Sequence, residues 1–188
     1  IVVGSNNTKV SKKMEVLYDP LIKKGAKFFI TNRRGAEMIK YASNAFLATK
    51  ITYINEIANL CENIGVNVED VSIGIGLDQR IGSRFLRAGP AYGGSCFPKD
   101  TKAITVIGDL HKIDLSIIKS VIKSNEKRKI ILTERIKKIL SNKIKKKKIA
   151  FLGVTFKPNT DDMRQSSSLL MIPYLHKEGA KITYYDPS

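Results

Sequence analysis

The sequence predicts an α/β chain whose all-helical middle, a dimerisation domain, is flanked by two partial β-α-β pieces. Three observations carry that expectation. Short apolar runs of strand length stand near both ends, at residues 1–3 and 25–31 and again at 148–153 and 181–186, each pair separated by a helix-period pattern. Between them, over residues 36–64, apolar side chains recur at three-and-four spacing. At 188 residues and 43% hydrophobic, the chain is long enough to bury a sizeable core.

The elements follow in order. Residues 1–3 open as a strand without a methionine, Val10, Met14 and Leu17 mark a helix, and Gly-Ala-Lys-Phe-Phe-Ile-Thr at 25–31 reads as the next strand. The far end repeats this grammar: a buried strand at 148–153, a helix over 166–178 stopped by Gly179, and a strand at 181–186. Pro173 lies well inside that last helix, where it should kink or delay it. Two parallel strands with one helix are too little sheet to stand alone, so both ends read as parts of larger α/β domains. The expected divisions are 1–34, 35–142 and 143–188.

The middle helix carries two apolar stripes: Leu47, Ile51, Ile54, Ala58 and Cys61, and beside them Phe46, Tyr53, Ile57, Leu60 and Ile64. A helix apolar on two sides is expected to be buried on two sides, as a molecular spine and a contact between subunits. Cys61 belongs to a stripe and reads as a packed core thiol. Lys40 and Asn44, four apart, share a face. They make a solvated polar surface or, if brought into a cleft, a pair of donors for an oxyanion.

The net charge is +16, but the lysines are spread. The densest run, Lys143 with Lys145 to Lys148, falls between a helical pattern and a strand, as a solvated connector. No aromatic residues interleave with it to stack bases, so nucleic acid is not the expected partner; the same positive field suits an anionic small molecule. No apolar run approaches the roughly 20 residues a membrane span needs, and no secretory leader is recognisable, which points to the cytosol and away from a membrane. The two cysteines, Cys61 and Cys96, form no paired framework. No metal-ligand pattern is present either.

The most informative stretch is Gly89-Pro-Ala-Tyr-Gly-Gly-Ser-Cys-Phe-Pro-Lys-Asp-Thr-Lys-Ala-Ile104. Its glycines allow a loop to wrap a ligand closely, and Pro98 suits the first turn of a helix continuing through Ile104 and Ile107. Cys96 then sits where helix N-terminal amides and Lys99 favour a thiolate, with Asp100 one turn on to hold or deprotonate a water. A structural or redox-sensing cysteine fits the same placement.

Four strings now carry a resemblance: Asn44-Ala-Phe-Leu-Ala-Thr-Lys50, Gly76-Leu-Asp-Gln-Arg-Ile-Gly82, Tyr92-Gly-Gly-Ser-Cys-Phe-Pro-Lys-Asp100 and Gly153-Val-Thr-Phe-Lys-Pro-Asn-Thr-Asp-Asp-Met-Arg164. In that order they resemble the UDP-glucose/GDP-mannose dehydrogenase family, its UDP-glucose branch most closely, over nearly the whole chain. The resemblance implies that the flanking pieces are Rossmann-like: the end of an N-terminal NAD-binding domain and the start of a C-terminal UDP-binding domain. It implies a four-electron oxidation of UDP-glucose to UDP-glucuronate at the expense of two NAD, through a thiohemiacetal and a thioester on Cys96. A thiol suits that task, since the thiohemiacetal keeps a transferable hydride and the thioester hydrolyses readily.

By the same resemblance Lys40 and Asn44 stabilise alkoxide-like states, Lys40 is also a candidate proton acceptor, and Asp100 activates water. Arg80 reaches a neighbouring subunit's substrate. Phe85, Arg87, Gly89, Tyr92 and Gly93 belong to the loop around the nucleotide sugar, and Phe156 and Lys157 lie beside it; Phe85 and Phe156 read equally as core. Cys96, Lys99 and Arg164 face NAD. The chain departs from the family in having no G-x-G-x-x-G, so most of the NAD site and the family's catalytic glutamate and threonine are expected to be missing, and the chain alone to be inactive. Gly153 is followed by Val-Thr-Phe-Lys, not a pyrophosphate fingerprint. The alternatives are a GDP-mannose or other nucleotide-sugar dehydrogenase, or a non-catalytic dimerisation and polyanion-binding module.

Overall fold

The structure, a computed structural model, describes residues 1–187. It contains two compact units, Ile1–Ser43 and Asn44–Ser188.

In the first unit, strands β1 (Val2–Gly4) and β2 (Phe29–Thr31) pair in parallel, Val2 opposite Phe29 and Gly4 opposite Thr31, with helix α1 (Thr8–Ile22) as the crossover. Asn7 caps α1, its Oδ1 accepting from the backbone N–H of Lys9 at 2.9 Å and of Val10 at 3.3 Å. Two strands give α1 too narrow a platform to cover its apolar stripe. Val16 and Leu17 accordingly stay 74% and 66% exposed, and the helix buries none of its residues.

Helix α2 (Arg33–Ile64) begins three residues before the periodic pattern, capped by Asn32, whose Oδ1 accepts from Gly35 N at 2.8 Å. From Asn44 on it belongs to the second unit with α3 (Val68–Gly76), α4 (Cys96–Leu110) and α5 (Ser116–Ile139). Only one of its two apolar stripes is buried in the chain: Ile54 and Cys61 are enclosed, whereas Phe46, Tyr53, Leu60 and Ile64 are between 52% and 66% exposed.

On that buried side α2 and α5 run side by side, and their contacts recur every seven residues. Ala48 shares an apolar cluster with Val121, Asn55 O accepts from Arg128, and Glu62 pairs with Arg135 at 2.6 Å. A seven-residue repeat on both helices is the signature of a near-parallel seam. Tyr92 joins Ala48 and Val121, with Ile51 and Phe97 packed around them.

The end of α5 leads into the second parallel pair, β3 (Lys148–Leu152) beside β4 (Lys181–Tyr185), with Lys148 opposite Lys181 and Leu152 opposite Tyr185. Ile144, Leu175 and Ala180 form its core, under Ile136, Leu140, Ile149, Phe151 and Ile182. The lysines around Ile144 are exposed, as a connector should be. Helix α6 (Ser168–Lys177) starts two residues later than the sequence suggests and keeps Pro173 within it. The later start has a cause: the Ser166 and Ser168 hydroxyls both donate to Val154 O, at 2.7 and 2.5 Å. Gly179, at φ +91°, ends the helix as expected, and Ala180 N closes it onto Leu175 O at 3.1 Å.

Candidate functional site

Cys96 is the first residue of α4, free and exposed, while Cys61 is free and buried. The first-turn amides of α4 have no intrahelical acceptors, and their partial positive charge surrounds the thiol. One turn on, Asp100 is completely buried. Its Oδ2 accepts from Asn44 Nδ2 at 2.6 Å and its Oδ1 from Lys99 Nζ at 2.7 Å. A carboxylate acceptor fixes which end of the Asn44 amide faces it, leaving the second N–H of Nδ2 to donate elsewhere. The structure thus joins Asn44, Lys99 and Asp100 in one network beneath Cys96. Lys40 is an exposed residue of α2 in the first unit, one turn before Asn44 in sequence.

The loop leading to Cys96 is packed against the segment that follows β3. A Cβ on Gly93 would lie 2.6 Å from Gln165 O, and one on Gly94 would lie 2.7 Å from the Phe156 ring. Only glycines admit that approach, and Gly94 also holds φ +78°. Gly94 N donates to Arg164 O at 2.7 Å, and Ser167 Oγ to Pro90 O at 2.5 Å. Phe156 and Arg164 are therefore brought to the cysteine loop. Lys157 stays exposed with its Nζ 5.4 Å from the Phe156 ring centroid.

Arg164 grips Asp162 with both ends of its fork, at 2.9 and 2.8 Å, and this holds the Asp162 carboxyl at about 2. Arg164 is raised in return, first by Asp162 and to a smaller extent by the neighbouring Cys96. Arg80 repeats the device with Asp78, two residues earlier, at 3.0 and 2.6 Å. It lines a hollow with Phe46 and Tyr53 on the exposed side of α2, and Lys50 ties the same loop down through Ile81 O at 2.9 Å.

Phe85 is 40% exposed and holds φ 65°, a left-handed backbone uncommon for a bulky side chain. Its ring stands 6.2 Å from Phe97, which meets Tyr92 edge-on at 6.1 Å. Tyr92 is 6% exposed, and burial raises the pKa of its hydroxyl. That ring is core, and the backbone N–H and carbonyl of Tyr92 are both engaged by Asn125. Arg87 is exposed and Gly89 half-buried.

Several residues that position the loop carry no sequence signal: Asn55, Asn125, Arg128 and Ser167 lie 34, 33, 39 and 77 residues from the loop groups they bind. Nor does the turn after β3 offer donors to a phosphate. The Val154 and Thr155 N–H groups already donate to Asp186 Oδ2, at 2.7 and 3.2 Å. No group of acidic, histidine or cysteine side chains suited to a metal occurs among the described residues, nor any helix long and apolar enough to cross a membrane.

Comparison with known proteins gives the following. Residues 34–127 match the central domain of the UDP-glucose/GDP-mannose dehydrogenase family, and residues 150–188 match its UDP binding domain. The chain is 50% identical over 187 residues to a UDP-glucose 6-dehydrogenase of Rickettsia prowazekii and 47% identical to one of Bacillus subtilis. All of this chain is covered, but only 43% and 42% of those relatives. Among solved structures it superposes on a UDP-glucose dehydrogenase from Pyrobaculum islandicum with a TM-score of 0.92 at 34% identity, covering 98% of this chain and 42% of that one. A UDP-D-ManNAc dehydrogenase from Pyrococcus horikoshii gives 0.86 at 28% identity, over 98% and 44%.

Proposed function

The chain belongs to the UDP-glucose/GDP-mannose dehydrogenase family, and on that premise we propose that its Cys96 site oxidises the C6 alcohol of UDP-glucose to the carboxylate of UDP-glucuronate, a four-electron change with NAD as cofactor. One arrangement supports this reading most: a free, exposed thiol on the first residue of α4, with buried Asp100 one turn on holding Asn44 and Lys99.

Each residue has a part in the chemistry. Cys96 Sγ adds to the aldehyde carbon at C6 and forms a thiohemiacetal. Oxidation of that adduct leaves a thioester; water then attacks, the C–S bond breaks, and the thiol regains a proton as the carboxylate departs. Asn44 donates to the oxyanion at C6 with the N–H that Asp100 leaves to it, and Lys40 adds positive charge and accepts the alcohol's proton. Asp100 orients Asn44 and holds the hydrolytic water. NAD, when bound, supplies the hydride acceptor. The described residues fit one edge of that cofactor, with exposed Lys99 and Arg164 as cations near the thiol, and lack the glycine-rich cradle for its pyrophosphate.

Phe156 and Lys157 receive the uridine and sugar, and the loop through Phe85, Arg87, Gly89, Tyr92 and Gly93 wraps the nucleotide sugar. Residues 1–34 end an NAD-binding domain, 35–142 make the dimerisation domain, and 143–188 begin the UDP-binding domain. A cytosolic homodimer forms over the exposed stripe of α2, where Arg80 reaches the partner's substrate. The chain by itself does not turn over. Alkylation by iodoacetamide with peptide mapping tests the site: Cys96 reacts at least about tenfold faster than Cys61, and UDP-glucose protects it. Equal rates, or no protection, would sink the reading.

A further inference from the structure

We propose that Arg128 is a positioning residue whose guanidinium sets the loop that delivers Cys96; the inference rests on the cysteine-site reading above. The seam between α2 and α5 makes its place unusual. Seven residues earlier the seam is apolar, at Ala48 and Val121, and seven later it is an exposed ion pair, Glu62 with Arg135. Between them stands a cation that is only 7% exposed. Its bonds go to neutral oxygens: Nε donates to Gly89 O at 3.1 Å, and Nη1 donates to Asn55 O at 3.1 Å and to Asn59 Oδ1. Burial and the charge of Arg135 both work against the protonated form, and Glu62 works the other way. A buried charge without a contacting carboxylate is an expensive way to fill a helix seam, and an apolar side chain would fill it at lower cost.

What the guanidinium achieves there is control of the loop. The peptide groups of Gly89 are held on both sides, since Gly89 N donates to Asn55 Oδ1 at 2.8 Å while its carbonyl accepts from Arg128. Tyr92 is held in the same way by one residue: its N–H donates to Asn125 Oδ1 at 2.9 Å and its carbonyl accepts from Asn125 Nδ2 at 3.1 Å. Asn125 and Arg128 are three apart on α5, so one helix face presents both clamps. Four residues after Tyr92 comes Cys96. The planar fork binds α2 and the loop at once, which a lysine ammonium, a single point of charge, does not reproduce.

The experiment uses the protein expressed from its complete open reading frame, with Arg128→Lys and Arg128→Ala, and with Asn125→Ser as a second route to the same loop. Hydrogen exchange read by mass spectrometry is expected to show the 89–94 amides opening at least about tenfold faster while α2 and α5 stay protected. Turnover on UDP-glucose is expected to fall about a hundredfold with KM within about threefold, the effect of a small misplacement of a reacting group. A polar cavity of about 170 Å³, walled by Thr52, Asn55 and Arg128, adjoins the site, and Thr52 Oγ1 there is buried without a hydrogen-bond partner. Guanidinium ion in the millimolar range is therefore expected to restore part of the activity of Arg128→Ala and none of that of Asn125→Ser. Loss of protection spread evenly over both helices, or an undisturbed loop, overturns the proposal. If Arg128→Ala does not fold, Arg128→Lys and Asn125→Ser decide by the same exchange pattern. A parent protein that leaves UDP-glucose unoxidised refutes the functional reading instead, and the exchange pattern still decides the role of Arg128.

Discussion

Replacing Asp100 by asparagine changes the charge of the site without changing its volume. In the parent, each carboxylate oxygen has a donor: Asn44 Nδ2 at 2.6 Å and Lys99 Nζ at 2.7 Å. The substituted side chain offers one acceptor oxygen and one amino group, so one of those donors would face another donor. Lys99, with 63% of its side chain exposed, can turn to water. The new oxygen then serves Asn44 as a neutral acceptor. A hydrogen bond to a charged group is worth about 1.5–3 kcal/mol and a neutral one about 0.5–1.5, so Asp100→Asn should cost about 1–2 kcal/mol of stability. On its proposed role in holding the hydrolytic water, the effect on turnover is larger: kcat should fall by about 10²–10⁴. Urea unfolding gives the first quantity and steady-state turnover of UDP-glucose the second. Stability within about 0.5 kcal/mol of the parent, the range of an ordinary surface change, together with parental kcat, would refute the role assigned to Asp100.

Three further outcomes follow from the geometry. Gly94→Ala puts a Cβ 2.7 Å from the Phe156 ring at φ +78°, so backbone strain of about 1–2 kcal/mol and overpacking of about 1–3 should together lower stability by about 2–5 kcal/mol in thermal melts. A loss below about 1 kcal/mol would mean that the loop and Phe156 do not pack as described. Asp162 titrates at about 2 instead of the ordinary 3.8, so its bond to Arg164 contributes above pH 3.8 and is lost as the pH falls through about 2. A carboxyl NMR titration with a midpoint near 3.8 would exclude the two-pronged pair. Leu60→Glu places a charge on the exposed stripe of α2, where Leu60 is 56% exposed, and should shift the proposed dimer to monomer in sedimentation; an unchanged dimer would put the interface elsewhere.

The legible parts of the fold were those written in local chemistry. Both parallel pairs, the stop at Gly179, the buried Cys61 and the placement of Cys96 at the start of a helix all follow from periodicity, glycine and Pro98. Local pattern says nothing of what covers a face, so the two stripes of α2 looked alike although the chain buries only one. Tyr92 reads as a loop residue because glycines surround it, yet its ring fills the core that α2 and α5 share. The clamps on the cysteine loop come from Asn125 and Arg128, whose polar character gives no sign of burial before α5 is laid along α2. The contact of Gly94 with Phe156 is legible only as a demand for glycine; the partner emerges with the fold.

The central claim is that one thiol joins two oxidations of the same carbon. Counting NADH formed per mole of limiting UDP-glucose, with the product of the complete open reading frame and with GDP-mannose in parallel, tests it most directly. The account predicts two NADH per UDP-glucose, and no complete turnover in Cys96→Ser. A yield of one, oxidation of GDP-mannose alone, or two NADH from Cys96→Ser would contradict it.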